Sequence, residues 1–185
     1  MDSLQGHFLV ASPHLSDDNF FRSVVFILQH DEEGAFGLVL NRPSNSSLPE
    51  IWKELGESDD VPRWPILVGG PVAGPLLVLH QQRDVAESEV IPEVFVSTER
   101  DSMEQLFAVK DWTQSIRVFR DYSGWGPKQL ESEMKVGGWL IIPATAADVF
   151  YEKDDLWERL IRKIGLDIIA PSIPPERVPD DPSLN

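Results

Sequence analysis

Val24-Val25-Phe26-Ile27-Leu28, then Asp31-Glu32-Glu33-Gly34, then Phe36-Gly37-Leu38-Val39-Leu40: two apolar runs are separated by an acidic turn that ends in glycine. A short, uninterrupted apolar run bounded by polar residues reads as a strand buried on both faces. The pair is therefore a β-hairpin with a loop of moderate length. Outward from it, Phe8 to Ala11 reads as a neighbouring strand. Leu76-Leu77-Val78-Leu79, Glu93-Val94-Phe95-Val96 and Ile116-Arg117-Val118-Phe119 read as further strands. Between the strand runs, helices are marked by their ends. Ser47-Leu48-Pro49-Glu50 has the Ser-x-x-Glu form in which side chain and backbone cap each other, and Gly56 can close that helix. After Thr98, the residues Met103, Leu106 and Phe107 fall on one helical face. Thr145 caps a short helix through Val149. From Asp155, the stripe Leu156, Leu160 and Ile164 predicts a last helix, with Glu158 pairing to Arg162 and Gly165 as its stop. Strand runs with interspersed helices give an α+β class.

The chain has 185 residues, of which 42% are apolar, enough for one domain with a substantial core. Residues 1–170 are read as that domain, and 171–185, with five prolines, as an extended mobile tail. The N-terminal Met1-Asp2-Ser3-Leu4-Gln5-Gly6 lacks the basic and long apolar regions of a secretory signal. The longest apolar stretch, Pro65 to Leu79, is broken by glycines and prolines and is too short to span a bilayer. A cytoplasmic setting without membrane contact is expected, and Asn45-Ser46-Ser47 is then no glycosylation site. With no cysteine, disulfides, thiol catalysis and Cys-ligated zinc are excluded. The net charge is −15; residues 171–185 hold three acids and one arginine, so the rest carries −13. Phosphate backbones are bound by clustered Lys and Arg, and here no three cations are consecutive, so direct nucleic-acid binding is not expected.

Chemistry-bearing residues are few. The histidines are His7, His14, His30 and His80. His30 beside Asp31-Glu32-Glu33 suggests a His/carboxylate metal site, but metal-ligand spacing such as His-x-x-x-His is absent, so an acidic turn in water is expected instead. Gly69-Gly70-Pro71 lacks the Lys-Ser/Thr or the third glycine of phosphate and dinucleotide loops.

The most distinctive phrase is Tyr122-Ser123-Gly124-Trp125-Gly126-Pro127, followed by Lys128-Gln129-Leu130-Glu131. Two glycines around a tryptophan predict a sharp bend, and Pro127 suits the first turn of a helix. Ser123 faintly resembles a nucleophile elbow, but the pattern is not Gly-x-Ser-x-Gly, and His14 or His80 would have to arrive by folding. A binding role is better supported, because a helix start beside glycine backbone offers free N–H groups. Arg42, with Asn41, would complete a carboxylate or phosphate site. The candidate ligand contacts are Asn41, Arg42, Ser123, Gly124, Trp125, Gly126 and Gln129, with no catalytic residue, metal or cofactor. The competing reading makes Trp125 a core plug, with the glycines permitting its turn and Arg42 capping a sheet edge. Trp52, Trp64, Trp112, Trp139 and Trp157 are read as core or rim.

Together with Gly6-His7-Phe8-Leu9-Val10-Ala11-Ser12-Pro13, Gly34-Ala35-Phe36-Gly37-Leu38-Val39-Leu40-Asn41-Arg42-Pro43 and Gly69-Gly70-Pro71-Val72, this phrase resembles the AlgH/YqgE family of bacterial proteins. The resemblance covers nearly all of residues 6–140 in order. It implies an α+β domain with a bent, mostly antiparallel sheet, partly closed into a small barrel and flanked by helices. It also implies a regulatory role linked to polysaccharide production. Lys128 stands where the family phrase has glycine, which implies a stiffer loop here. Two function classes follow: a regulatory or adaptor module binding a protein or small anionic ligand, or a hydrolase using Ser123 with a distant histidine. The partner's identity and the oligomeric state are not readable from the sequence.

Overall fold

The computed structural model describes residues 3–56, 61–108 and 115–169. The tail expected over 171–185, and Trp112, lie outside them. In chain order the strands are β1 (His7–Ala11), β2 (Val24–Asp31), β3 (Gly34–Val39), β4 (Pro43–Ser47), β5 (Pro65–Val68), β6 (Val72–His80), β7 (Ser88–Ile91), β8 (Val94–Ser97), β9 (Ile116–Trp125) and β10 (Trp139–Pro143). The helices are α1 (Leu48–Glu54), α2 (Arg100–Ala108), α3 (Gln129–Lys135), α4 (Ala146–Val149) and α5 (Leu156–Ile169), with a 3₁₀ turn at Arg83–Val85. The strands order as β10-β1-β2-β3-β9-β6-β8-β7. All of these pairs are antiparallel. The exception lies off this path, where β5 pairs antiparallel with β4 and parallel with β9.

The sheet curls into a half-barrel, as the burial shows. One cluster gathers Phe8, Val24, Phe26, Leu38, Leu79, Val94 and Phe119 from strands along the whole sheet, so it fills the concave face. Leu156, Trp157 and Leu160 of α5 lie in that cluster and plug the curl, with Trp157 Nε1 donating to the Ala11 carbonyl at 2.9 Å. The convex face is covered in two halves. Trp52 of α1 and Met103, Leu106 and Phe107 of α2 pack on Ile66, Val78 and Val118. Leu130 of α3 packs with Trp125 and Trp139 on Leu9, Val25 and Ile27. Residues Val24 to Leu28 are buried on both faces for this reason: alternate residues enter the concave cluster and the convex one.

Most local expectations hold. The Glu50 carboxylate accepts the Ser47 N–H at 2.7 Å at the start of α1, and Thr145 Oγ1 accepts the Asp148 N–H at α4. Others are corrected. The hairpin loop is tight, because Asp31 and Gly34 already pair and only Glu32 and Glu33 turn. Gly165 does not stop α5, which continues to Ile169, since a lone glycine weakens but does not break a helix packed on a core. Glu158 forms its ion pair with Arg22, at 3.5 Å, rather than within its helix to Arg162. Strands β4, β5, β7 and β10 were not anticipated at all.

Candidate functional site

The expected bend at Tyr122–Trp125 is a strand. These residues are the last part of β9, where Gly37↔Ser123, Phe36↔Gly124 and Ala35↔Trp125 pair with β3. Neither Gly124 nor Gly126 has a positive φ; the left-handed residue of the phrase is Lys128, at φ 62°. The glycines serve close approach instead. A Cβ on Gly74 would sit 2.6 Å from the Tyr122 ring, and a Cβ on Gly124 3.1 Å from its other edge. Gly69 and Gly70 lie flat against Asp121–Ser123, where a Cβ would strike the β9 backbone. Ser123 closes this contact: it is 0% exposed and its hydroxyl donates to the Gly69 carbonyl at 3.0 Å. The same carbonyl accepts Val39 N–H at 2.8 Å. The Gly69-Gly70 stretch is thus clasped between β3 and β9, which explains why the glycine phrases, distant in sequence, belong together.

Trp125 is buried, and its indole N–H donates to Glu133 Oε2 at 3.0 Å. Trp139 donates to the same oxygen at 2.9 Å. Phe20 stacks on Trp125 with ring centroids 5.7 Å apart and meets Trp139 edge-on at 5.2 Å. One carboxylate therefore satisfies both indoles at the edge of the convex core. Gln129 completes the arrangement, accepting Gly126 N–H at 3.0 Å and donating to Glu133 Oε1 at 3.1 Å. The sequence reading missed Glu133; its signal was the four-residue spacing from Gln129 on one helical face. Pro127 is not in the first turn of α3, which starts at Gln129 after Lys128.

Asn41 and Arg42 are directed elsewhere. Asn41 Oδ1 accepts Val24 N–H at 2.9 Å and its amide donates to the Arg22 carbonyl at 2.8 Å. The Arg42 guanidinium donates to the Asn19 carbonyl. Both side chains hold the loop between β1 and β2, whose Phe20 rests on Trp125 and whose Arg22 sits at φ 51°. The seven candidate residues thus meet through this loop and through β9, and each has hydrogen-bond partners or a packing role within the chain.

The histidines are also engaged. His80, 0% exposed, has Nε2 3.0 Å from Ser97 Oγ, and its Nδ1 accepts Gln82 N–H at 3.2 Å. Burial pushes its pKa down to about 4, so the ring is neutral near pH 7. Among the described residues no hydrogen bond joins Ser123 to a histidine, and no group of three His, Asp or Glu residues is placed to hold a metal ion. The acidic turn Asp31–Glu33 is exposed, as expected, and His30, at the end of β2, is buried. Its Nδ1 accepts Leu4 N–H at 2.9 Å and its Nε2 lies 3.5 Å from Glu131. It lines a cleft of about 630 Å³ with Ser3, Asp31, Glu32, Lys128 and Glu131. The Gln29 amide and Glu33 N–H hold the Asp31 carboxyl below the usual range, so this cleft is acidic. No helix among the described residues is long and apolar enough to cross a membrane.

Comparison with known proteins agrees with this architecture. The AlgH-like family model matches residues 8–169. A UPF0301 protein of Myxococcus xanthus is 37% identical over 172 residues, covering 90% of this chain and 94% of the relative. One from Thermobifida fusca is 36% identical over 197 residues, covering 99% and 96%. The solution structure of AlgH from Pseudomonas aeruginosa superposes with a TM-score of 0.72 at 31% identity, covering 93% of this chain and 95% of that one. A crystal structure from Corynebacterium diphtheriae, at 23% identity and TM-score 0.70 over 88% of each chain, shares the fold. The chain belongs to the AlgH-like family.

Proposed function

We propose that this chain is a non-catalytic binding module that works in the cytoplasm by docking another protein. One observation carries the reading: the polar groups of the family phrases are spent on holding the fold together. Ser123 closes on Gly69, Gln129 and Glu133 on Gly126 and the two indoles, and Arg42 on Asn19. A nucleophile needs a base within hydrogen-bond reach and an approach for substrate, and among the described residues the fully buried Ser123 has neither. A small anion is a weaker fit than a protein, since Arg42 is occupied and the cleft beside His30 carries Asp31, Glu32 and Glu131 against Lys128. The acidic body favours a partner that presents positive charge.

The test is a pull-down from native lysate at physiological salt, with the retained proteins identified. The expected result is a stoichiometric protein partner that survives washing. Turnover of an acyl or phosphoryl ester by the purified protein, abolished in a folded Ser123→Ala variant, would overturn the reading.

A further inference from the structure

The main strand order ends at β7 and β10, with β4 a further edge on the β5 branch, and the two ends of the main order are not equivalent. At β7 the N-terminal segment closes in: a Cβ on Gly6 would sit 2.5 Å from the Ile91 side chain. At β10 the backbone pattern leaves an open row. Ser12 N–H donates to the Gly138 carbonyl and Ala144 N–H to Gly6, at each end of the β1–β10 register. In an antiparallel pair this makes the even residues of β10, Leu140 and Ile142, the ones bonded to β1. Trp139, Ile141 and Pro143 therefore aim their backbone groups away from the sheet. That row offers the N–H groups of Trp139 and Ile141 and the carbonyls of all three; Pro143 has no N–H to give. Among the described residues β10 pairs with no strand other than β1.

Edges of this kind are usually blunted by lysine, by a bulge or by cover. Trp139-Leu140-Ile141-Ile142-Pro143 carries no charge, and only Pro143 limits its pairing. The Ile141 side chain is 37% exposed, and Val136, in the turn that leads into the strand, is 84% exposed. A carboxylate stands at the strand's first residue, where Glu133 holds the Trp139 indole. The chain as a whole carries −15, which repels a second copy and attracts a cationic segment.

We propose that β10 is a docking edge that accepts an extended, basic segment of a partner protein as an added strand. This rests on the reading of the chain as a protein-binding module and names the surface it uses. The partner's backbone would pair with Trp139 and Ile141, and its apolar side chains would cover Ile141 and Val136. Its cations would lie in the field of the acidic body. Because Pro143 withholds a donor, the pairing is short and its register fixed.

The probe is a synthetic peptide of about eight alternating Lys and Val residues, a length typical of one strand. An acidic control replaces each Lys by Glu. Amide hydrogen exchange by NMR on the full chain reads the result. The Trp139 and Ile141 amides should exchange fast in the free protein and at least ~10-fold slower with the basic peptide, an expected protection factor for newly bonded amides. The acidic peptide should have no effect. Ile141→Pro removes an outward donor without touching the bonds to β1 and should abolish the protection at Trp139. Ile141→Lys keeps the donor and repels the probe, so it should weaken binding and guards against a folding defect in the proline variant. Equal protection by the acidic peptide, or none by the basic one, overturns the proposal. Protection without peptide also overturns it, assigning the edge to a second copy if it grows with protein concentration and to this chain itself if it does not. In the lysate pull-down, a partner retained equally by Ile141→Pro sinks the β10 proposal and leaves the binding module standing. Peptide protection with no partner captured would do the reverse.

Discussion

His80 gives a prediction whose size follows from its surroundings. Ser97 Oγ donates to the Val85 carbonyl at 3.0 Å, so toward His80 it can only accept. That fixes the Nε2–H tautomer, while Nδ1 accepts Gln82 N–H. Protonation would place a second hydrogen on Nδ1 against that N–H and charge a ring with no exposure. The folded ring accordingly titrates at about 4 against 6.5 when free, burial being the main cause and Glu87 offsetting it only in part. The sign follows from proton linkage. Above about pH 6.5 the ring is neutral in both states and its contribution to stability is complete. Between 6.5 and 4 the unfolded chain binds a proton that the folded chain refuses, so stability falls with pH. Each pH unit across that gap is worth roughly 1.4 kcal/mol, which sets the loss at about 3 kcal/mol. The assay is urea unfolding of the wild type and of His80→Gln across that range, because Gln can still donate to Ser97 and does not titrate. Carboxylates and the other histidines contribute equally to both proteins and cancel in the comparison. His80→Gln should lose about 3 kcal/mol less on acidification. Parallel stability curves for the two proteins would refute the assignment of a buried neutral imidazole.

Four further outcomes are expected. Ser123→Ala should cost only about 1 kcal/mol in thermal or urea melts, because Val39 N–H still satisfies the Gly69 carbonyl; Gly70→Ala, forced into the β9 backbone, should cost clearly more, and the reverse order would disprove the clasp. Glu133→Ala leaves two indole N–H groups without their acceptor and should lose about 2–4 kcal/mol, with a shift in tryptophan fluorescence; an unchanged melt would mean that water replaces the carboxylate. Lys128→Gly should raise stability by about 1 kcal/mol, since the left-handed backbone there suits glycine, and a lower melting temperature would contradict this. A gel shift with duplex DNA at physiological salt should show no competitor-resistant binding, given the acidic body without a cationic cluster.

The amino-acid sequence by itself determined the elements whose signals are local. The runs at Val24–Leu28 and Phe36–Leu40 are apolar enough to be strands in any burial context, and α1 and α4 carry their N-terminal caps within a few residues. The glycine phrases identified the family, and through it the curled sheet that periodicity alone could not reach. Tertiary structure decided the rest, because the deciding partner in each case is distant in the chain. Pro43-Ser44-Asn45-Ser46-Ser47 has turn composition and becomes β4 only by pairing with β5. Tyr122–Trp125 reads as a bend because glycine lowers strand propensity, yet β3 draws it into the sheet, and Gly69-Gly70 needs that glycine-lined surface to lie flat. The same holds for the candidate residues: Asn41, Arg42 and Ser123 each had a polar group to place, and their partners, at residues 19 to 24 and at Gly69, are brought near only by the closure of the sheet. Whether a hydroxyl or a guanidinium is free for a ligand depends on what the fold puts within 3 Å of it, and a sequence does not carry that distance.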